Sequence, residues 1–171
     1  KGGRCDSSLP PALEIPQYPE RFDELPLAEG TSLALRDAFR YESLSDVQAR
    51  VLPTALTSDR DFVVRARTGT GKTLAFLIPA VEAMVSSAPL TGGVETLILA
   101  PTRELALQVG KEAELLLSGH GNIGVVTLTG GASNIRQDQV AIRRKKPRVV
   151  VATPGRLLLH LERTFLFPTL F

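Results

Sequence analysis

The stretch Asp61-Phe62-Val63-Val64-Arg65-Ala66-Arg67-Thr68-Gly69-Thr70-Gly71-Lys72-Thr73 decides how this chain reads. A short β-branched apolar run enters a turn with two glycines, and helical apolar periodicity begins at Lys72. In such a turn successive backbone N–H groups face inward, and the following helix aims its N-terminus at the same point. The segment is therefore suited to hold phosphate. Gly69 and Gly71 supply a permissive backbone, and Arg67, Thr68 and Thr70 complete the loop. Lys72 is placed to neutralise β- and γ-phosphates, and the Thr73 hydroxyl is a candidate Mg²⁺ ligand. These two are the catalytic candidates. Ala66 stands where the general pattern has glycine. A glycine turn without a ligand is the plainer alternative, and the strand-loop-helix context argues against it.

Working outward, three more runs read as strands covered on both faces: Thr96-Leu97-Ile98-Leu99, Val125-Val126-Thr127-Leu128 and Val149-Val150-Val151. Helices are predicted over 72–86, 103–118 and 134–144. The alternation implies an α/β domain, a parallel sheet with helices on both faces. Upstream, Thr31 is expected to cap a helix carrying Leu33, Leu35 and Phe39. Ser45 is expected to cap a second with Val47, Val51 and Leu52, which Pro53 kinks. Residues 1–20 are proline-rich, with Pro10-Pro11, and read as a flexible tail, so residues 21–171 form the expected domain.

Composition bounds the function. The 171 residues, 43% hydrophobic, suffice for one sizeable core. Twenty Lys+Arg against 18 Asp+Glu leave a net charge of +2, which by itself argues for no nucleic-acid partner. Aromatics at 5% and no Trp exclude a broad base-stacking platform, so any nucleic acid is held by its backbone. The single Cys5 makes no internal disulfide, two histidines give no zinc constellation, and a reducing intracellular setting is expected. No membrane-span-length apolar run and no signal peptide are visible. A start without Met reads as a fragment.

Residues 66–73 resemble motif I of the DEAD-box RNA helicase family. Pro101-Thr102-Arg103-Glu104-Leu105 is similar to its motif Ia, Gly130-Gly131 to its GG motif and Thr153-Pro154-Gly155-Arg156 to its motif Ib. The order and spacing of these motifs, each after a predicted strand, carry the resemblance over about residues 22–162. It implies an incomplete amino-terminal RecA-like domain of an ATP-dependent RNA helicase, which uses ATP and Mg²⁺ and works with a second RecA-like domain. Tyr41 to Gln48 resembles the family's Q motif, whose Gln reads adenine; Phe22 falls at the position of an aromatic that stacks on the base. The Gln48 amide suits this, since it donates and accepts at once. The segment departs from the family in Arg40, where Gly is common, and Leu44, where Pro is common. A polar helix position for Gln48 and core packing for Phe22 are the plainer alternatives.

The resemblance also implies that Pro101, Thr102, Arg103, Gly130, Gly131, Thr153, Pro154, Gly155 and Arg156 hold the sugar-phosphate backbone of one RNA strand. Their predicted place at strand-to-helix turns agrees with this, because exposed N–H groups and hydroxyls there meet phosphate oxygens without reading sequence. Helix capping and turn formation are the alternative roles. The run Arg143-Arg144-Lys145-Lys146 reads as a solvated helix end or as an auxiliary RNA contact, and the first is favoured. His120, in a Gly-flanked loop, and Cys5 are assigned no role.

ATP hydrolysis further needs a carboxylate to hold Mg²⁺ and a group to position water, supplied in the family by motif II. After Val151 the only acidic residue is Glu162, and the apolar ending 164–171 resembles the connector that precedes the motif II strand. The chain taken alone is thus expected to bind nucleotide or RNA without turnover, with an open sheet edge. A small-molecule kinase is the remaining P-loop alternative, disfavoured by residues 101–105 and 153–156.

Overall fold

A computed structural model describes residues 18–87, 93–121, 123–131 and 134–164. The expected tail up to residue 17, with Cys5, and the ending 165–171 lie outside them.

The sheet is built where β-branched runs find partners. Strands β1 (Thr96–Leu99), β2 (Gly124–Leu128) and β3 (Pro147–Ala152) run parallel in the order β1-β3-β2. Register places Leu99 and Leu128 both opposite Ala152, so the three strands end level. In β3 the side chains alternate between two cores, as the two-residue strand period requires. Val149 and Val151 join the cluster containing Leu77, Ile78, Val109 and Leu116, while Val150 and Ala152 join Val126, Leu128, Ile142 and Leu157.

Helices cover both faces. On the first lie α3 (Lys72–Ser86) and α4 (Arg103–Leu117), α4 burying Ala106, Val109, Gly110, Ala113 and Leu116 at three- and four-residue steps. Gly110 is required there, because a Cβ would stand 2.1 Å from Thr127 Oγ1 on β2. On the second face lie α5 (Ile135–Lys145) and α6 (Pro154–Arg163). The predicted helices at 72–86, 103–118 and 134–144 thus form within a residue at each end. Asn134 caps α5 reciprocally with Gln137, and Lys145 at its far end reaches Glu114 at 2.7 Å.

Two expectations are corrected. The run 62–64 forms no strand: Phe62 is 42%, Val63 101% and Val64 39% exposed. A strand exists only where its N–H and C=O groups meet a partner ladder, and no described strand runs beside this one. The same deficit shows on β1, whose outer edge is unpaired among the described residues and whose Leu97 and Leu99 are 40% and 54% exposed. Among the described residues the sheet thus ends at β1 on that side.

Thr31 is the second correction. It is not a cap but lies inside α1 (Glu29–Leu33), fully buried. Its hydroxyl donates to Glu82 on α3 and meets His120 Nε2 at 2.8 Å, while Ala28 N–H donates to the other Glu82 oxygen at 2.9 Å. The buried Glu82 carboxylate needs those donors, and that need outweighs capping preference. Burial lowers the His120 pKa, partly opposed by Glu82. Beyond α1 a wider π-type segment, Ala34–Phe39, ends at Arg40 in the left-handed region, φ 58°. That conformation explains why glycine suits position 40.

Candidate nucleotide and nucleic-acid site

The phosphate loop is held by side chains rather than by a strand. Ser45 caps α2 (Asp46–Ala55), as predicted, and does so reciprocally with Gln48, and the helix continues through Pro53. From this cap two clasps reach the loop: Ser45 Oγ donates to the Thr70 carbonyl at 2.8 Å, and Gln48 Nε2 donates to the Gly71 carbonyl at 3.1 Å. Gly69 and Gly71 both take positive φ, 76° and 84°. At Gly71 a Cβ would lie 2.6 Å from Gln48 Nε2 and 2.9 Å from Ser45 Oγ, so the clasp itself demands glycine. Within the loop Thr70 Oγ1 donates to the Arg67 carbonyl at 2.8 Å, and Thr68 forms part of the turn. Lys72 Nζ donates to the Ala66 carbonyl at 2.8 Å and to the Arg67 carbonyl.

Gln48 is 4% exposed, yet its amide is not exhausted. Oε1 accepts from Ser45 N–H at 2.9 Å and Nε2 spends one hydrogen on Gly71, leaving one lone pair and one hydrogen. Phe22 is 6% exposed and belongs to the core, the plainer of its two readings. Its remaining access is a cleft of about 260 Å³ that it lines with Arg21, Leu35 and Tyr41. Thr73, half-buried in the first turn of α3, offers one hydroxyl to a metal. The described residues contain no cluster of three or more His, Cys, Asp or Glu fit for an ion. A lone protein hydroxyl of this kind is compatible with Mg²⁺, which usually keeps several waters and takes phosphate oxygens beside one or two protein ligands.

The second group of residues emerges from one edge of the sheet. Pro101 and Thr102 follow β1, Gly130 and Gly131 follow β2, and Thr153 to Arg156 follow β3. Parallel strands that end level put these three loops side by side, where open α/β sheets bind ligands. Thr102 caps α4 by accepting from Leu105 N–H at 3.2 Å, and Thr153 N–H donates to the Leu128 carbonyl at 3.0 Å. The Arg103 guanidinium lies over the glycine pair, so that a Cβ at Gly131 would stand 2.4 Å from its Nη1. Pro154 and Gly155 open α6 and are exposed. A cleft of about 620 Å³ between the last two loops is lined by Gly131, Asn134, Ile135, Arg136 and Arg156.

Arg156 lines this cleft and is also paired within the fold. Its side chain is 9% exposed, with Nε and Nη2 2.8 and 2.7 Å from one Asp138 oxygen. His160 Nε2 lies 2.9 Å from that oxygen, and its Nδ1 2.8 Å from Thr164 Oγ1. Sequence reasoning missed Asp138, His160 and Arg136. The helical spacing of Arg156, Leu157 and His160, and of Asp138 and Ile142, carried the signal that both polar residues face inward. Of the basic run, Lys145 is paired to Glu114, and Arg143, Arg144 and Lys146 are exposed at the end of α5, where cations suit the helix dipole.

Residues 45–169 match the family described as DEAD/DEAH box helicase. The chain is 42% identical over 144 residues to DEAD-box ATP-dependent RNA helicase 26 of Oryza sativa subsp. japonica, covering 84% of this chain and 26% of that protein. It is 39% identical over 170 residues to ATP-dependent RNA helicase HAS1 of Phaeosphaeria nodorum, covering 96% of this chain and 27% of that protein. The chain thus spans about a quarter of the length of these curated relatives. Among solved structures, the DEAD-box helicase Mss116 bound to ssRNA and UDP-BeF superposes with TM-score 0.75 at 32% identity, over 87% of this chain and 31% of that one. A DEAD box protein from Methanococcus jannaschii does so with TM-score 0.73 at 37% identity, over 86% and 38%. Motifs Ia, GG and Ib at one edge of a parallel sheet, motif I clasped from α2, and the family match over most of the chain agree: the protein belongs to the DEAD/DEAH box helicase family.

Proposed function

We propose that this chain is the ATP-binding and RNA-binding part of an ATP-dependent RNA helicase, an amino-terminal RecA-like domain spanning residues 21–171 that works with a second such domain. The observation that carries the reading is a phosphate loop clasped by Ser45 and Gln48 on the same body as three loops at one sheet edge. The names of the relatives, and the single-stranded RNA and nucleotide in the Mss116 structure, support it.

In this reading Lys72 exchanges the Ala66 and Arg67 carbonyls for β- and γ-phosphate oxygens, and the N–H groups of residues 67–73 surround the phosphates. Gln48 turns its remaining hydrogen and lone pair to adenine, and Phe22 meets the base from the cleft it lines. Thr73 would hold Mg²⁺, and the ion when bound would supply positive charge against the phosphate oxygens. Thr102, Arg103, Gly130, Gly131, Thr153, Pro154 and Gly155 grip one RNA strand through phosphate and sugar, so binding carries little sequence preference. The single cysteine agrees with a reducing, intracellular setting. Among the described residues no helix is long and apolar enough to cross a membrane.

The test is strand displacement from a short RNA duplex by the full-length protein. Displacement that requires ATP and disappears in Lys72→Ala supports the proposal. Displacement that persists in that variant, or proceeds equally without ATP, overturns it.

A further inference from the structure

The Asp138–Arg156 pair, with side chains 6% and 9% exposed, is the most buried arginine–carboxylate contact among the described residues. It lies between α5 and α6, the helices that begin directly after the GG and Ib loops. A buried pair of this kind contributes little net stability, since desolvation offsets attraction, but it fixes relative geometry. Here three nitrogens converge on a single Asp138 oxygen: Arg156 Nε donates at 2.8 Å, Arg156 Nη2 stands in ionic contact at 2.7 Å and His160 Nε2 lies at 2.9 Å. His160 is wholly buried and is itself oriented from behind, its Nδ1 2.8 Å from Thr164 Oγ1, which also accepts from Gln139 Nε2 at 3.3 Å. A carboxylate acceptor calls for a hydrogen on Nε2, so the Thr164 hydroxyl supplies Nδ1 when the ring is neutral.

We infer that Asp138 and His160 are positioning residues for the RNA site: through Arg156 they lock the first turns of α5 and α6 together and set the width of the cleft between the GG and Ib loops. Arg156 serves this lock and is not a phosphate contact. Arg156 also lines the cleft, but with its Nε turned to Asp138; the cations there with exposed side chains are Arg136, on its wall, and Arg103, over the glycine pair. Three features point the same way. Arg156 donates from Nε and turns Nη2 toward the same acidic partner. Thr153 is tied by its backbone to the end of β2, so the loops already share one hinge and need only one further tether. That tether sits one turn into each helix, at Asp138 and Arg156, where it sets the splay of the two N-termini that flank the cleft. The inference rests on the RNA-binding reading above.

The experiment measures binding of a labelled oligouridylate to the full-length protein by fluorescence anisotropy, with a non-hydrolysable ATP analogue, across a series of salt concentrations. Nucleotide affinity is measured in parallel. Asp138→Asn and Arg156→Gln are each expected to weaken RNA binding roughly tenfold or more, as misplacement of a site does. The double variant should be no weaker than either single one, because both break the same contact. The salt dependence should keep its wild-type slope, and nucleotide affinity should stay within about twofold. His160→Gln, which retains a donor near the position of Nε2, should bind close to wild type, whereas His160→Leu should not.

Several results overturn the inference. One is Asp138→Asn binding RNA as tightly as wild type or more tightly, the mark of a guanidinium released toward phosphate. Another is a salt slope lowered by about 0.7 in Arg156→Gln, the mark of one lost phosphate contact on a single strand. A third is parallel loss of RNA and nucleotide affinity, which shows general damage to the fold. A wild-type protein that binds no RNA removes the functional reading itself, and this inference with it; that control is read before any variant.

Discussion

The segment 61–73 and the three strand-end loops descend from the same sequence pattern, a β-branched run followed by a turn and a helix, yet they are held in opposite ways. Behind the loops after β1, β2 and β3 stands a parallel ladder whose central strand is buried on both faces. Behind the phosphate loop stands an unpaired run with Val63 fully in solvent, and the loop is held from the front by Ser45, Gln48 and Lys72. Backbone hydrogen bonds stabilise the first region whatever the side chains are, whereas the second depends on a few named atoms. The two regions should therefore respond to different substitutions.

The largest contrast lies in stability. Leu128→Ala, at a position with no exposure beside β3, should cost about 2–5 kcal/mol in chemical denaturation. Val63→Ala in the same 171-residue chain should stay within about 0.5 kcal/mol, as at any solvated position. A comparable loss at Val63 would mean that the run is packed in solution and would end the contrast.

Next comes Gly71→Ala. It forces a Cβ against both clasps at φ 84°, and should weaken nucleotide binding roughly ten- to a hundredfold while leaving RNA affinity without nucleotide near wild type. Equal loss of both affinities would show the two regions to be one cooperative unit rather than two.

The smallest effect is a gain. Arg40→Gly relieves a left-handed residue at the end of the segment Ala34–Phe39 and should stabilise the chain by about 1 kcal/mol in thermal or denaturant melts. A loss instead would assign the Arg40 side chain a contact more valuable than the relief of strain.

The contrast also explains what the sequence disclosed. Periodicity found α3, α4, α5 and three strands almost to the residue, because each buries its apolar face against described neighbours. It failed at 62–64, where the apolar pattern of a strand is present but the partner ladder is not. It failed again at Thr31, because a cap preference of about 1 kcal/mol is overruled by the buried carboxylate of Glu82, a residue 51 positions away. At the site, residues bound to local motifs were legible: the glycines, Lys72, the Ser45 cap and the strand-end threonines. Asp138 and His160 were not, since their meaning arises only when α5 and α6 meet across 22 residues of chain. Arg156 was legible as a motif member, but its pairing with Asp138 was not.

The central claim is that the clasped phosphate loop and the strand-end loops serve one reaction. The most direct measurement is ATP hydrolysis by the full-length protein with and without single-stranded RNA, in wild type and Lys72→Ala. Turnover should rise with RNA in wild type and fall to background in Lys72→Ala under both conditions. Turnover indifferent to RNA, or undiminished in Lys72→Ala, would contradict it.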